Sequence, residues 1–165
     1  MPDDNGSLND QIDALEILLA RSVTFQDAVG VNNERDAKEH IHFDYFDPEN
    51  GDPDPERPFA VVEELEHGHT LIGEGVGNNY AVGGSLLLMF TANTTAPDDH
   101  KQSKREFTRV WGKILDDMAE TAGHDGRFGF LDSTMTQRPV RNPKNERGRD
   151  NDYFWASQTF QYGEE

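Results

Sequence analysis

NYAVGGSLLLMFTANTTAPDDHKQSKREFTRVWGKILDDMAETAG, residues 79–123, changes period in the middle, and that change decides the fold class. In its first part Tyr80, Val82, Leu86, Leu88 and Phe90 alternate, as they must to share one face of a pleated strand. Leu87 and Met89 occupy the other face. A strand that is apolar on both sides belongs in the centre of a sheet or at a contact between copies. Gly83 and Gly84 mark a bulge or bend. After the polar TTAPDDH loop the spacing becomes helical. Phe107, Val110, Trp111, Ile114, Leu115 and Met118 form one stripe of a helix spanning about 101–122 and stopped by Gly123.

Working outward, Ser7 has the position of a helix cap. Leu8, Ile12, Leu15 and Leu19 recur at helical spacing behind it, with Leu18 widening the stripe. This predicts a helix to about Arg21. Thr24 with Asp27 repeats the cap signature, predicting a short second helix over Phe25–Val29 that stops at Gly30. A third is expected from Asn33 to His40, with Ala37 and Ile41 inward. Residues 46–58, FDPENGDPDPERP, read as an exposed acidic loop, because prolines and repelling carboxylates leave no periodic structure. PFAVVEEL is a strand with Phe59, Val61 and Leu65 on one face. EHGHTLIGEGVGNN reads as a glycine-rich hairpin connection. Residues 128–140 form a strand, RPVRNPKNERGRDND (138–152) a basic loop, and DYFWASQTFQYG the last strand. Phe154, Ala156, Gln158, Phe160 and Tyr162 share one of its faces.

Two hairpins separated by a long helix predict an α+β fold. Its antiparallel or mixed sheet has about four strands, with an N-terminal helix and one long central helix packed on it. The chain of 165 residues fits one domain: a helical part (1–45), the acidic loop (46–58), and the sheet with its long helix (59–163).

Composition narrows the function. The chain has no cysteine, which removes disulfides, thiolate metal sites and cysteine nucleophiles. The polar N-terminus does not read as a signal peptide. The longest apolar run, Ser85–Phe90, is too short to span a membrane. A soluble protein with no membrane partner is expected. The net charge is −17 and uneven. Residues 1–100 hold 21 acids and 4 bases, whereas 101–149 hold 7 acids and 11 bases. Such a surface repels nucleic acid at long range. It also aids solubility or suits a saline environment. The basic stretch fits an acidic surface on another copy. Lys101, Lys104 and Arg105 stand near the start of the long helix, the unfavourable end for cations. Service to a partner explains them, as does a frayed first turn. With Arg138, Arg141, Arg147 and Arg149 they are the candidate interface residues.

Chemistry-bearing patterns are few. His40 with His42, and His67 with His69, form two H-x-H pairs. On a strand such a pair puts both imidazoles on one face, half of a metal site. Exposed histidines beside loops are the simpler reading, and no metal or other cofactor is expected. The acids at 47–54 do not fit a calcium loop, because Gly51 is misplaced and prolines stiffen the chain. Gly73, Gly75 and Gly77 lead into a strand, not the helix a dinucleotide site needs. No serine sits in a nucleophile elbow. Trp111, Tyr153, Phe154 and Trp155 fit core packing of the long helix on the last strand better than a base-stacking surface. No catalytic residues emerge, so a non-enzymatic role is expected.

The helix Ser7–Ala20, the strands RPFAVVEEL and SLLLMFTAN, the helix EFTRVWGKILDDMAE and the closing DYFWASQTFQYG together resemble the tail terminator (tail completion) proteins of long-tailed bacteriophages. The resemblance covers about residues 58–163 and the first helix, and it rests on element order, not on an invariant motif. The short helices and acidic loop at 22–57 and the long loop at 138–152 depart from it. It implies a virion protein of the tail or neck, assembled in the host cytoplasm. There it would form a ring, usually a hexamer, that caps the tail tube protein and receives the head-completion or connector protein. DNA would pass through without sequence-specific binding. Another neck or tail protein is the structural alternative, and a histidine-dependent metal-binding protein the alternative of a different class.

Overall fold

A computed structural model describes residues 8–43, 56–72, 81–96, 98–124, 132–142 and 153–162. The elements in chain order are α1 (Leu8–Ala20), α2 (Val23–Val29), α3 (Glu34–Lys38), β1 (Ile41–His42), β2 (Phe59–Ile72), β3 (Ala81–Asn93), α4 (His100–His124), β4 (Asp132–Asn142) and β5 (Tyr153–Tyr162). The strands form one open sheet in the order β1-β2-β3-β5-β4. The four long strands are antiparallel neighbours, and the two residues of β1 add a parallel step against Ala60 and Val61. This is the expected α+β fold with a mixed sheet, and β3 stands at its centre.

The helices cover one face. Leu15, Leu18, Leu19, Phe25, Ala60, Val62, Leu86, Leu88, Phe90, Phe107, Trp111, Ile114, Phe154 and Ala156 belong to one buried cluster. The register explains which strand residues join it, because Ala60 pairs with Phe90 and Phe90 with Ala156, so the three point to the same side. Aromatic rings dominate the centre. Phe90 stacks on Phe107 at 5.7 Å and on Trp111 at 6.2 Å, and meets Phe25 edge-on at 6.1 Å. Phe107 also stacks on Phe154 at 5.4 Å. Fully burying one such ring stabilises the fold by about 1.5–3 kcal/mol. The apolar stripes read in the N-terminal and central helices are therefore the core-facing sides of α1 and α4.

Boundaries differ where pairing overrides local composition. β2 does not end at Leu65; EHGHTLI continues it to Ile72, because the first residues of β3 supply partners from His69↔Gly84 to Ile72↔Ala81. The disturbance expected at Gly83–Gly84 falls on the opposite strand. Between Glu64 and His69 β2 takes five steps while β3 takes two, from Leu86 to Gly84. Similarly RPVRN is strand, not loop: Val140, Arg141 and Asn142 pair with Trp155, Phe154 and Tyr153. Pro139 is accommodated because β4 is an edge strand and its register shifts between Gln137 and Val140. α4 passes Gly123 and includes His124. α2 starts two residues earlier than its Thr24 signature implies, capped by Ser22 and closed by Gly30 at φ 79°. Asn33 caps α3. The Ser7 cap, the glycine run at 73–77 and most of the acidic loop lie outside the described residues.

Candidate partner-binding surfaces

Three surfaces are left by this fold. The first is the pair of sheet edges. β1 covers only Ala60 and Val61 of the fourteen-residue β2. Among the described residues, the rest of the outer edge of β2 meets no strand, and neither does the outer edge of β4. Past β1, β2 carries Glu63, Glu64 and Glu66, while β4 carries Arg138 and Arg141. The two edges thus differ in charge. α4 packs on α1 and α2 as well as on β5 and β4, and α1 packs on β2.

The second surface is the sheet face turned away from the helices. Phe59, Val61, Leu87, Met89, Thr91 and Trp155 share it by register. Phe59 and Val61 are buried, whereas Leu87, Met89 and Trp155 are half-buried. At one end Arg57 locks three strands together. Its guanidinium lies 3.6 Å from the Tyr153 ring centre and 5.5 Å from that of Phe59. Its Nε donates to Thr91 Oγ1 at 3.0 Å, and that hydroxyl donates to the Phe154 carbonyl at 2.8 Å. A cation between two aromatic faces gains from both ring quadrupoles. The isolated arginine in an acidic stretch was the only sequence signal for this clamp.

The third surface is the outward face of α4. Asp99 accepts from the Gln102 amide at 3.0 Å and caps the helix, so the first turn is not frayed. Ser103 is buried and tied to both polar atoms of the Ala96 backbone. Lys101, Lys104, Arg105, Thr108 and Arg109 recur at i, i+3, i+4, i+7 and i+8, the spacing of one helical stripe, and all are exposed. With His100 they line an open depression of about 510 Å³. His100 itself stacks on Phe154 at 6.0 Å. Arg109 pairs with Glu106 and belongs to this set, though residue-type counting near the helix start missed it. Its interval from Arg105 was the available signal.

The predicted site residues are thus divided between elements. Lys101, Lys104 and Arg105 stand on a helix face, and Arg138 and Arg141 on a sheet edge; Arg147 and Arg149 lie outside the described residues. The two histidine pairs are placed differently. His42 is in β1 but His40 lies in the turn before it, so the first pair does not share a strand. His42 meets the Phe59 ring edge-on at 5.6 Å, and burial, with the neighbouring His40 charge, lowers its pKa. His67 and His69 fall in β2 near the register shift, not in a connection. Among the described residues no group of three or more His, Cys, Asp or Glu is placed to hold a metal. Trp111 and Phe154 are core residues, as packing of the long helix on the last strand requires.

No described helix is long and apolar enough to cross a membrane. Comparison with known protein families and with curated proteins finds no match.

Proposed function

We propose that this protein is a structural ring subunit of the phage tail-terminator kind, acting through assembly and not through catalysis. The observation that carries the reading is the open sheet with two unlike edges, acidic on β2 and basic on β4. A ring forms when one surface of a protomer meets a different surface of the next and the rotation closes. Opposite charges on the two edges favour that head-to-tail contact. They disfavour β4 meeting β4, because arginines on both edges repel; the same residues, with Pro139, protect a lone edge from unspecific pairing. In the finished particle the ring would cap the tail tube protein and offer its other side to the head connector. An acidic lumen would let DNA slide, since like charge removes the phosphate-binding contribution.

The test is particle size and shape in solution, by light scattering and negative-stain electron microscopy. A closed ring of several copies, unchanged by a chelator, is expected. A metal-dependent monomer would overturn the reading. Reversing Arg138, Arg141, Arg147 and Arg149 to glutamate is expected to dissolve the ring, and an unaltered ring would remove the basic strand and loop from the contact.

A further inference from the structure

We infer that the outward face of α4 is a second, separate contact surface, and that its partner is the same face of another copy, packed antiparallel. The inference goes beyond the sheet-edge ring and makes no use of the edges.

Four charged residues carry it. Arg105, Arg109, Asp116 and Glu120 fall within about 60° of arc on an ideal helix, on the side opposite Phe107, Trp111, Ile114 and Met118. All four are exposed. The cations occupy the first half of the face and the acids the second, each pair four residues apart. Arg105 and Glu120 lie equally far from the point between Gly112 and Lys113, roughly 11 Å at 1.5 Å rise per residue. Arg109 and Asp116 are likewise equidistant from it, at roughly 5 Å. A two-fold axis through that point therefore sets Arg105 against the partner copy's acid at 120, and Arg109 against its acid at 116. The face is complementary to itself in one orientation only. A parallel pair would place like charges together.

Among the described residues, the side chains of Arg105, Asp116 and Glu120 have no ion pair or hydrogen bond, in a protein with 32 acids and 15 bases. Arg109 pairs with Glu106 through one nitrogen, and its half-exposed guanidinium keeps further donors. Gly112 stands in the middle of the face. A Cβ built on it would meet nothing within 4 Å, so no neighbour inside the protomer requires glycine there. A missing side chain at the crossing point lets two helix backbones approach closely.

The contact is weak alone, because exposed ion pairs contribute little each. It gains force where many copies are held together, since linked contacts act at high effective concentration. In a ring assembly it would join one ring to another.

Charge-swap complementation tests it. Sedimentation velocity would be run on the wild type, on R105E/R109E, on D116R/E120R and on the equimolar mixture, each with and without R138E/R141E to remove the sheet-edge contact. Circular dichroism would confirm that the variants fold. Each double variant alone is expected to weaken pairing by on the order of tenfold or more, from four lost cross pairs. The mixture should restore it. Pairing unchanged in either variant, or a mixture that stays apart, would overturn the inference. Loss with R105E/R109E only would assign the cations to an acidic surface elsewhere on the second copy, and would equally overturn it. The R138E/R141E background reports on the sheet-edge contact independently, so the two failures are distinguishable.

Discussion

The Ser22 hydroxyl accepts from the Phe25 amide at 3.1 Å and donates to Asp117 Oδ2 at 2.7 Å, and the Thr24 amide donates to that same oxygen at 3.1 Å. Two residues far apart in sequence thus cap α2 jointly and tie it to α4. Ser22→Ala removes a buried cap and is expected to cost about 1–2 kcal/mol, read as a fall in Tm of a few degrees. Burial alone would raise the Asp117 pKa, but the hydrogen bonds from Ser22 and Thr24, with Lys113 nearby, bring it below the usual carboxylate range. The folded state thus binds this proton less readily than the unfolded chain does. The stabilisation is complete above the ordinary aspartate pKa and is lost as pH falls through the lower, folded value. Asp117→Asn should flatten that part of a stability–pH curve. His42 acts in a higher range. Its folded pKa is also lowered, so stability falls as pH drops from the ordinary histidine value of about 6.5 toward the folded one. His42→Phe should remove that slope while keeping the contact with Phe59.

α4 carries two further tests at the scale of the element. Trp111 is buried and stacked on Phe90, yet its Nε1 has no hydrogen-bond partner among the described residues. Trp111→Phe keeps a ring and removes the orphan donor, so its cost should be well below the roughly 3–5 kcal/mol expected for Trp111→Ala. Denaturant unfolding of both variants would decide this; equal losses would sink the argument. Gly112→Ala should stabilise the protomer by about 0.5–1 kcal/mol, since the new methyl meets nothing and the helix loses a flexible residue. These helices were legible in the sequence because each buries one stripe, and a stripe survives as periodicity. The strand ends were less so. HGHTLI and RPVRN have the composition of connections and become strand only because β3 and β5 lie alongside, a non-local cause that a local pattern does not carry. The two-residue β1 is too short to have a period. Lys101, Lys104 and Arg105 were visible as misplaced charge, but the matching acids on α4 were hidden in an acidic background until the helix fixed their angles. The Arg57 clamp joins residues 57, 91 and 153, and no sequence window contains it.

At the scale of the whole molecule, net charge and local complementarity oppose each other. A charge of −17 repels like copies at a distance, while both proposed contacts set opposite charges close together. The screening length shrinks from about 30 Å at 0.01 M salt to about 8 Å at 0.15 M and 3 Å at 1 M. Assembly should therefore strengthen between the first two conditions and weaken again toward the third, as light scattering would read. A steady weakening from the lowest salt upward would mean that long-range repulsion plays no part.

The strand order has one more effect. The acidic strand β2 and the basic strand β4 stand on opposite sides of the sheet, with β3 and β5 between. At about 4.8 Å per strand the separation is roughly 14 Å. On these strands chain polarity has become spatial polarity, with Glu63, Glu64 and Glu66 on one side of the sheet and Arg138 and Arg141 on the other. Under the proposed edge contact, two copies would be turned toward unlike edges before they touch, so that orientation would be selected during the approach and the contact would have only to hold it.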